Sequence, residues 1–315
     1  MTPILQTQNL SKTYHVSGRP DLKALDQLTL EVQTGEIFGY LGPNGAGKTT
    51  TIRLLLDLIR PTSGTASVFG LNAQEHSVAI HRRVGFLPGE LNLWKNRTAA
   101  QVIYYIASLR GTIAPQVKEA QKLAEELKFD ASKKIRDFST GNKRKLGLIL
   151  AMMHRPELLI LDEPTSGLDP LMQQTFNQMM RDIRAEGRTV FLSSHQLSEV
   201  QAICDRVAIL RDGQLQTVQN VDTLMKAGFR SVDLEFREAV PQMWQERLES
   251  IGAQEVVIQD KTARFKLRGD FDPVLRVVSS GYLVNIDVHE PSLEDIFLSF
   301  YDSAQTHETH KEMVK

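Results

Sequence analysis

The stretch IFGYLGPNGAGKTT, Ile37 to Thr50, decides the fold. A nearly continuous apolar run leads into a glycine-rich turn, and the turn leads into TTTIRLLLDLI, whose leucines cluster as on a buried helix. An apolar run without alternation reads as a strand covered on both faces. Strand, loop and helix in that order open an α/β unit.

Within this stretch Gly42-Pro43-Asn44-Gly45-Ala46-Gly47-Lys48-Thr49 fits the pattern G-x-x-x-x-G-K-[ST] in full, with Thr50 following it into the helix. At such a turn successive backbone N–H groups converge on a phosphate, and the helix dipole favours the negative charge. Lys48 then reaches the β- and γ-phosphates and Thr49 ligates Mg²⁺. A turn that merely joined strand to helix would leave Lys48 unexplained, because a cation at a helix start opposes the dipole unless an anion is bound. The expectation is nucleotide binding. The base is left open: a guanine-specifying N-K-x-D is approached at Asn142-Lys143-Arg144, but Lys145 stands where the Asp is required.

Further along, LILDEPTSGLDP, Leu159 to Pro170, ends a second buried strand on two carboxylates, Asp162 and Glu163. A strand that points a carboxylate at Mg²⁺ complements a phosphate loop, which makes Asp162 a metal ligand and Glu163 the base that holds the attacking water. Both stand where ligands sit in doubly wound sheets, at the carboxyl ends of strands. TVFLSSH, 189–195, is a third buried strand, and LMQQTFNQMMRDIRAEG between the two reads as a helix ending on Gly187.

Around this α/β core the pattern changes twice. ILQTQNLSKTYH and ALDQLTLEV are short strands, the second alternating through Leu28, Leu30 and Val32, and they predict a half-exposed antiparallel sheet. From Thr98 to about Leu127 the rhythm is helical, with Thr98 as N-cap. Beyond Val218–Lys226 the order is SVDLEF strand, VPQMWQERLES helix, QEVVIQ strand, ARFKLR strand, FDPVLRVVSS helix and YLVNIDV strand. That βαββαβ order is the split βαβ arrangement. PSLEDIFLSFY is expected to close it as a helix, and AQTHETHKEMVK as a polar tail.

The 315 residues, 41% hydrophobic and 24% charged, are too many for one average core, so two domains are expected. The net charge of -1 gives no field that would steer the chain to nucleic acid, and no nucleic-acid partner is expected. Cys204 is alone, which excludes an intramolecular disulfide and a cysteine metal cage. No apolar run approaches the ~18 residues of a membrane span. If the chain works at a membrane, another polypeptide supplies the spanning helices.

GPNGAGKTT, FSTGNKRKLGL, LLILDEPTSGLDP and LSSH, in this order, resemble the ATP-binding cassette (ABC) ATPases over roughly Ile4 to Leu215. The resemblance implies a P-loop NTPase core with an antiparallel β subdomain and a helical insertion at about 90–155. The cassette is then placed at 1–218, a small α+β, ferredoxin-like C-terminal domain at 219–302, and the tail at 303–315. It implies ATP and Mg²⁺ as ligands. Ser139, Thr140 and Gly141 look like the family's signature sequence, with Thr140 and Asn142 replacing the usual Gly and Gln, and cap the phosphate bound by the opposite chain. One copy of each motif then requires a homodimer.

By the same resemblance His195 bonds the γ-phosphate, Tyr14 stacks on adenine and Asp169 couples the two halves of the dimer. After VGFLP the family's metal-touching Gln is replaced by Gly89, followed by Glu90, and Glu90 is the candidate substitute at the metal or at a basic group of the partner. Lys143, Arg144 and Lys145 read first as a solvated basic face. A single cassette with a C-terminal domain reaching Pro291-Ser292-Leu293-Glu294 resembles subunits serving bacterial exporters of drugs, antibiotics or lipid-linked compounds. The permease is then a separate membrane protein, and the ATPase sits peripherally on the cytoplasmic face of the membrane. An importer ATPase, or an ATPase acting in translation or repair, is the alternative.

Overall fold

A computed structural model describes residues 3–15, 18, 20–227, 230–279 and 281–289. The chain divides into two compact units, Met1–Asn220 and Val221–Lys315. The helix expected over 291–301 and the tail at 303–315 lie outside the described residues.

In the first unit β1 (Pro3–Tyr14) pairs antiparallel with β2 (Leu22–Gln33). Leu28, Leu30 and Val32 of β2 are buried while Thr29 and Glu31 are exposed, which is the alternation read from the sequence. β3 (Ile37–Leu41) is buried at every position and runs through the phosphate loop into α1 (Lys48–Leu55). The helix is shorter than its apolar run. Asp57 takes a left-handed φ of 53°, which turns the chain away before Leu58 and Ile59 can extend it. β4 (Ser63–Val68) and β5 (Leu71–Asn72) then complete a sheet in the order β2-β1-β4-β5.

After α2 (Ser77–Arg83) and β6 (Val84–Leu87) comes the helical insertion, α3 (Ala99–Leu109), α4 (Ile113–Glu126) and α5 (Thr140–Met152). Thr98 caps α3 in a full capping box with Gln101, a motif that contributes about 1 kcal/mol. The core resumes with β7 (Leu158–Asp162), α6 (Pro170–Ala185), β8 (Thr189–Ser194), α7 (Leu197–Ile203), β9 (Arg206–Arg211) and β10 (Gln214–Asn220). Gly187, at φ 80°, ends the α6 segment as its sequence predicts.

These strands form one sheet in the order β10-β9-β3-β8-β7-β6, parallel except for the β9-β10 hairpin. Phe38, Tyr40 and Phe191 meet across β3 and β8, with ring centroids 5.9 and 5.2 Å apart. Burying each such ring contributes on the order of 2–3 kcal/mol. A rigid centre therefore carries the carboxyl ends of β3, β7 and β8, and those ends carry the motifs.

The second unit opens with α8 (Val221–Ala227) and continues β11 (Arg230–Phe236), α9 (Met243–Ser250), β12 (Gln254–Gln259), β13 (Thr262–Leu267), α10 (Asp272–Val278) and β14 (Leu283–His289). Its sheet order, β12-β13-β11-β14 with every neighbour antiparallel, is that of a split βαβ fold. Trp244 of α9 packs edge-on against Phe236 of β11, centroids 5.1 Å apart, and α9 and α10 both turn buried apolar residues into the core shared with this sheet.

Candidate functional site

Gly47 opens α1 with φ 104°, and a Cβ there would lie 2.5 Å from the carbonyl oxygen of Ala24. Any side chain would force the loop off β2, so the tight turn requires glycine. Lys48 follows with only 6% of its surface exposed, and its ammonium donates to the carbonyls of Gly42 at 2.6 Å and Pro43 at 3.2 Å. Burial lowers its pKa from the usual lysine value, while Glu163 and Asp162 pull it back up. The cation is thus held against the Gly42 and Pro43 carbonyls at the start of the loop.

Asp162, at the end of β7, is the hub. Thr49 Oγ1 donates to its Oδ2 at 2.8 Å, and Ser193 Oγ donates to its Oδ1 at 2.5 Å. Parallel register puts Asp162 directly beside Ser193, so the strand pairing builds this contact. A hydroxyl and a carboxylate 2.8 Å apart are hard oxygen donors of the kind that would hold Mg²⁺. Among the described residues no group of three or more His, Cys, Asp and Glu side chains could hold a metal.

Glu163 adopts a left-handed φ of 50°, a conformation that costs a residue with a side chain about 1–3 kcal/mol. Its amide donates to both the carbonyl and the hydroxyl of Ser193, at 3.1 and 3.2 Å, which holds it there. The turn aims the carboxylate between two basic groups: Lys48 Nζ at 3.7 Å and His195 Nδ1 at 3.1 Å from the same oxygen. Lys48, Asp162, Glu163 and His195 are therefore brought together from three strand ends.

The signature segment stands on the next element. Ser139 caps α5, its hydroxyl accepting the amide of Asn142 at 3.2 Å. Gly141 approaches Gly167 so closely that a Cβ would lie 2.7 Å from that carbonyl oxygen, and Thr140 lines the same contact. Asp169 caps α6 by accepting the amide of Met172 at 2.9 Å. Tyr14 ends β1 half-buried, with Lys12 Nζ 5.2 Å from its ring centroid, and stands apart from the cluster around Asp162. Thr50 is half-buried on α1, and Glu90 is exposed beside Gly89.

One reading of the basic run is overturned. Arg144 is not part of a solvated face: it is 5% exposed and its guanidinium donates to the carbonyls of Pro88 at 2.8 Å and Gly89 at 3.0 Å. Burial lowers its pKa from the usual arginine value, opposed by Asp162 and Glu163. Two further residues escaped the sequence. Ser193 anchors Asp162, and Glu199 of α7 accepts from Thr165 and, at 2.7 Å, from Ser194, tying the acidic turn to the end of β8. The only signal for Ser193 was its place in LSSH, and for Glu199 there was none.

Residues 25–166 match the family model described as ABC transporter. The chain is 36% identical over 239 residues to the bacitracin transport ATP-binding protein BcrA of Bacillus licheniformis, covering 76% of each. It is 36% identical over 217 residues to the Nod factor export ATP-binding protein I of Cupriavidus metallidurans, covering 68% of this chain and 76% of that one. A solved ATP-binding subunit of an ABC transporter superposes with a TM-score of 0.64 at 28% identity, over 71% of this chain and 92% of the other.

Proposed function

Since the chain belongs to the ATP-binding subunits of ABC transporters, we propose that it hydrolyses ATP to drive a separately encoded membrane permease exporting a drug, antibiotic or lipid-like substrate. The names of the bacitracin-transport and Nod-factor-export relatives support the direction. The observation that carries the reading is Glu163, held by Ser193 between Lys48 and His195 and next to the Thr49–Asp162 pair.

In this reading the backbone N–H groups of the loop from Asn44 to Thr50 and the Lys48 ammonium receive the phosphates, and Thr49 and Asp162 would hold Mg²⁺. Such an ion would supply positive charge against that developing on the phosphate oxygens. Glu163 takes a proton from a water as the water oxygen bonds to the γ-phosphorus and the P–O bond to the β-phosphate breaks; ADP leaves, and the proton passes from Glu163 to the phosphate product. His195 fixes the Glu163 carboxylate through Nδ1 and stands beside the transferring group. Tyr14 is the proposed adenine platform.

Ser139 and the N-terminus of α5 offer donors for an anion, and one chain carries one such end and one phosphate loop. Two copies arranged head to tail would complete two sites, with Asp169 coupling them. No helix among the described residues is long and apolar enough to cross a membrane. The proposed location is the cytoplasmic face of the membrane, held there by the permease.

The test pairs ATPase assays of wild type and Glu163→Gln with co-purification of candidate six-helix permeases. Loss of about 10²–10⁴-fold in kcat with ATP binding retained is expected for a general base. A Glu163→Gln variant at the wild-type rate removes Glu163 from the mechanism. An active ATPase that captures no membrane partner turns the reading toward translation or repair.

A further inference from the structure

Gly89 has no side chain with which to anchor its loop, yet the loop lies at the metal-side carboxylate. A Cβ on Gly89 would sit 3.2 Å from Asp162 Oδ2, the same oxygen that accepts the Thr49 hydroxyl. What holds the backbone this close comes from α5. The Arg144 fork takes the carbonyls of two consecutive residues, Pro88 at 2.8 Å and Gly89 at 3.0 Å. One turn further along α5, Gly147 leaves room for the same loop: a Cβ there would come 2.5 Å from Leu87 Cδ1 and equally close to Leu91 Cδ1. Leu87 to Leu91 is thus fastened to α5 by a two-pronged hydrogen bond and by side chains that straddle a glycine.

We propose that Arg144 is the positioning residue of the ATPase site, setting the approach of Pro88–Gly89 to Asp162 from α5 and making that loop move with the signature end of the helix. Ser139 caps α5, and Arg144 lies five residues on, about 7.5 Å along the axis. Any displacement of the Ser139–Gly141 end on meeting nucleotide is delivered to Gly89 through a single helical turn and a half. A purely structural arginine would be expected to find a carboxylate partner in so buried a place. This one spends its donors on loop carbonyls, and Asp162 and Glu163 balance its charge through space. The loop therefore responds to the helix, and the carboxylates feel both.

The inference rests on the ATPase reading above, and its test separates the two. In the full chain, Arg144→Lys keeps the charge and an apolar stem but loses the planar fork that spans two carbonyls. Amide hydrogen exchange over the 88–91 segment, read at residues 89–91 because Pro88 has no amide proton and measured without nucleotide, should rise roughly 5–30-fold in Arg144→Lys and Arg144→Ala as the loop released from the fork opens more often. Exchange within the Leu146–Met152 part of α5 should stay as in wild type. ATP turnover should fall about tenfold in kcat, with the KM for ATP within twofold and the Mg²⁺ requirement raised, since the phosphate loop is untouched.

Unchanged exchange over 88–91 in a folded variant overturns the proposal, as does a kcat loss that thermal unfolding accounts for entirely. If neither variant folds, Arg144 is a structural residue and the proposal falls. A wild-type chain that hydrolyses no ATP sinks the ATPase reading instead, while the exchange measurement still decides the link between Arg144 and the loop.

Discussion

The hydroxyl of Ser193 donates to Asp162 Oδ1 at 2.5 Å across paired positions of β7 and β8, leaving Oδ2 to Thr49. Both oxygens of the carboxylate are thereby committed before any ligand arrives, and its plane is fixed. Removing the Ser193 hydroxyl frees Oδ1 in a buried place and costs about 1–3 kcal/mol. Ser193→Ala should lower thermal stability accordingly and raise the Mg²⁺ concentration needed for half-maximal hydrolysis, with Ser193→Thr restoring most of both. An Mg²⁺ titration identical to wild type would show that Asp162 is oriented by Thr49 alone.

His195 and Lys48 share one oxygen of Glu163, His195 the closer at 3.1 Å. With the imidazole gone, the carboxylate is left to Lys48 at 3.7 Å and swings toward the phosphate loop, away from a water in line with the γ-phosphorus. His195→Ala is expected to lower kcat by roughly 10- to 100-fold while nucleotide binding, measured by fluorescence titration, stays within a few-fold. A fall in binding with kcat intact would place His195 on the substrate and not on Glu163.

Glu90 is exposed one residue beyond the Gly89 backbone that Arg144 holds. Its carboxylate is free to meet a basic group brought by a membrane partner. Glu90→Ala should therefore leave the hydrolysis rate of the isolated chain near wild type and lower the stimulation produced by a cognate permease several-fold. Stimulation equal to wild type would leave the loop acting through its backbone alone.

The parts of the site legible in the sequence are those whose chemistry is local. The phosphate loop is a turn with its own glycine requirements, and Thr98 and Ser139 are caps set by the next three residues. Asp162 stands at the end of an apolar run that can only be a covered strand. Arg144 misled because its neighbours Lys143 and Lys145 are half-exposed, and only the approach of Leu87 and Leu91 to Gly147 turns the middle residue inward. Ser193 needed the β7–β8 register, which no single segment encodes. The end of α1 was hidden for the opposite reason, since the apolar run continues past the left-handed Asp57 that stops the helix.

His154 gives a pH dependence with a defined sign. Its Nε2 lies 3.1 Å from the Val84 carbonyl, while its buried Nδ1 has no hydrogen-bond partner. Burial, then the nearby Arg110, and to a lesser extent Arg188, hold its pKa down at about 4, against an ordinary 6.5, the Val84 carbonyl resisting only in part. At pH 7 the ring is neutral in the folded chain and mostly neutral in the unfolded one, so it contributes little pH dependence there. As pH falls through 6.5 the unfolded chain takes up the proton first, so the native state loses stability down to about pH 4. The full shift corresponds to at most about 3 kcal/mol, and the partial exposure of the ring reduces it. Denaturant unfolding at pH 7 and pH 5 should show wild type losing about 1 kcal/mol more than His154→Gln, whose amide can still reach Val84 but does not titrate. Equal losses in the two proteins would mean that His154 takes up its proton in the folded chain as readily as in the unfolded one.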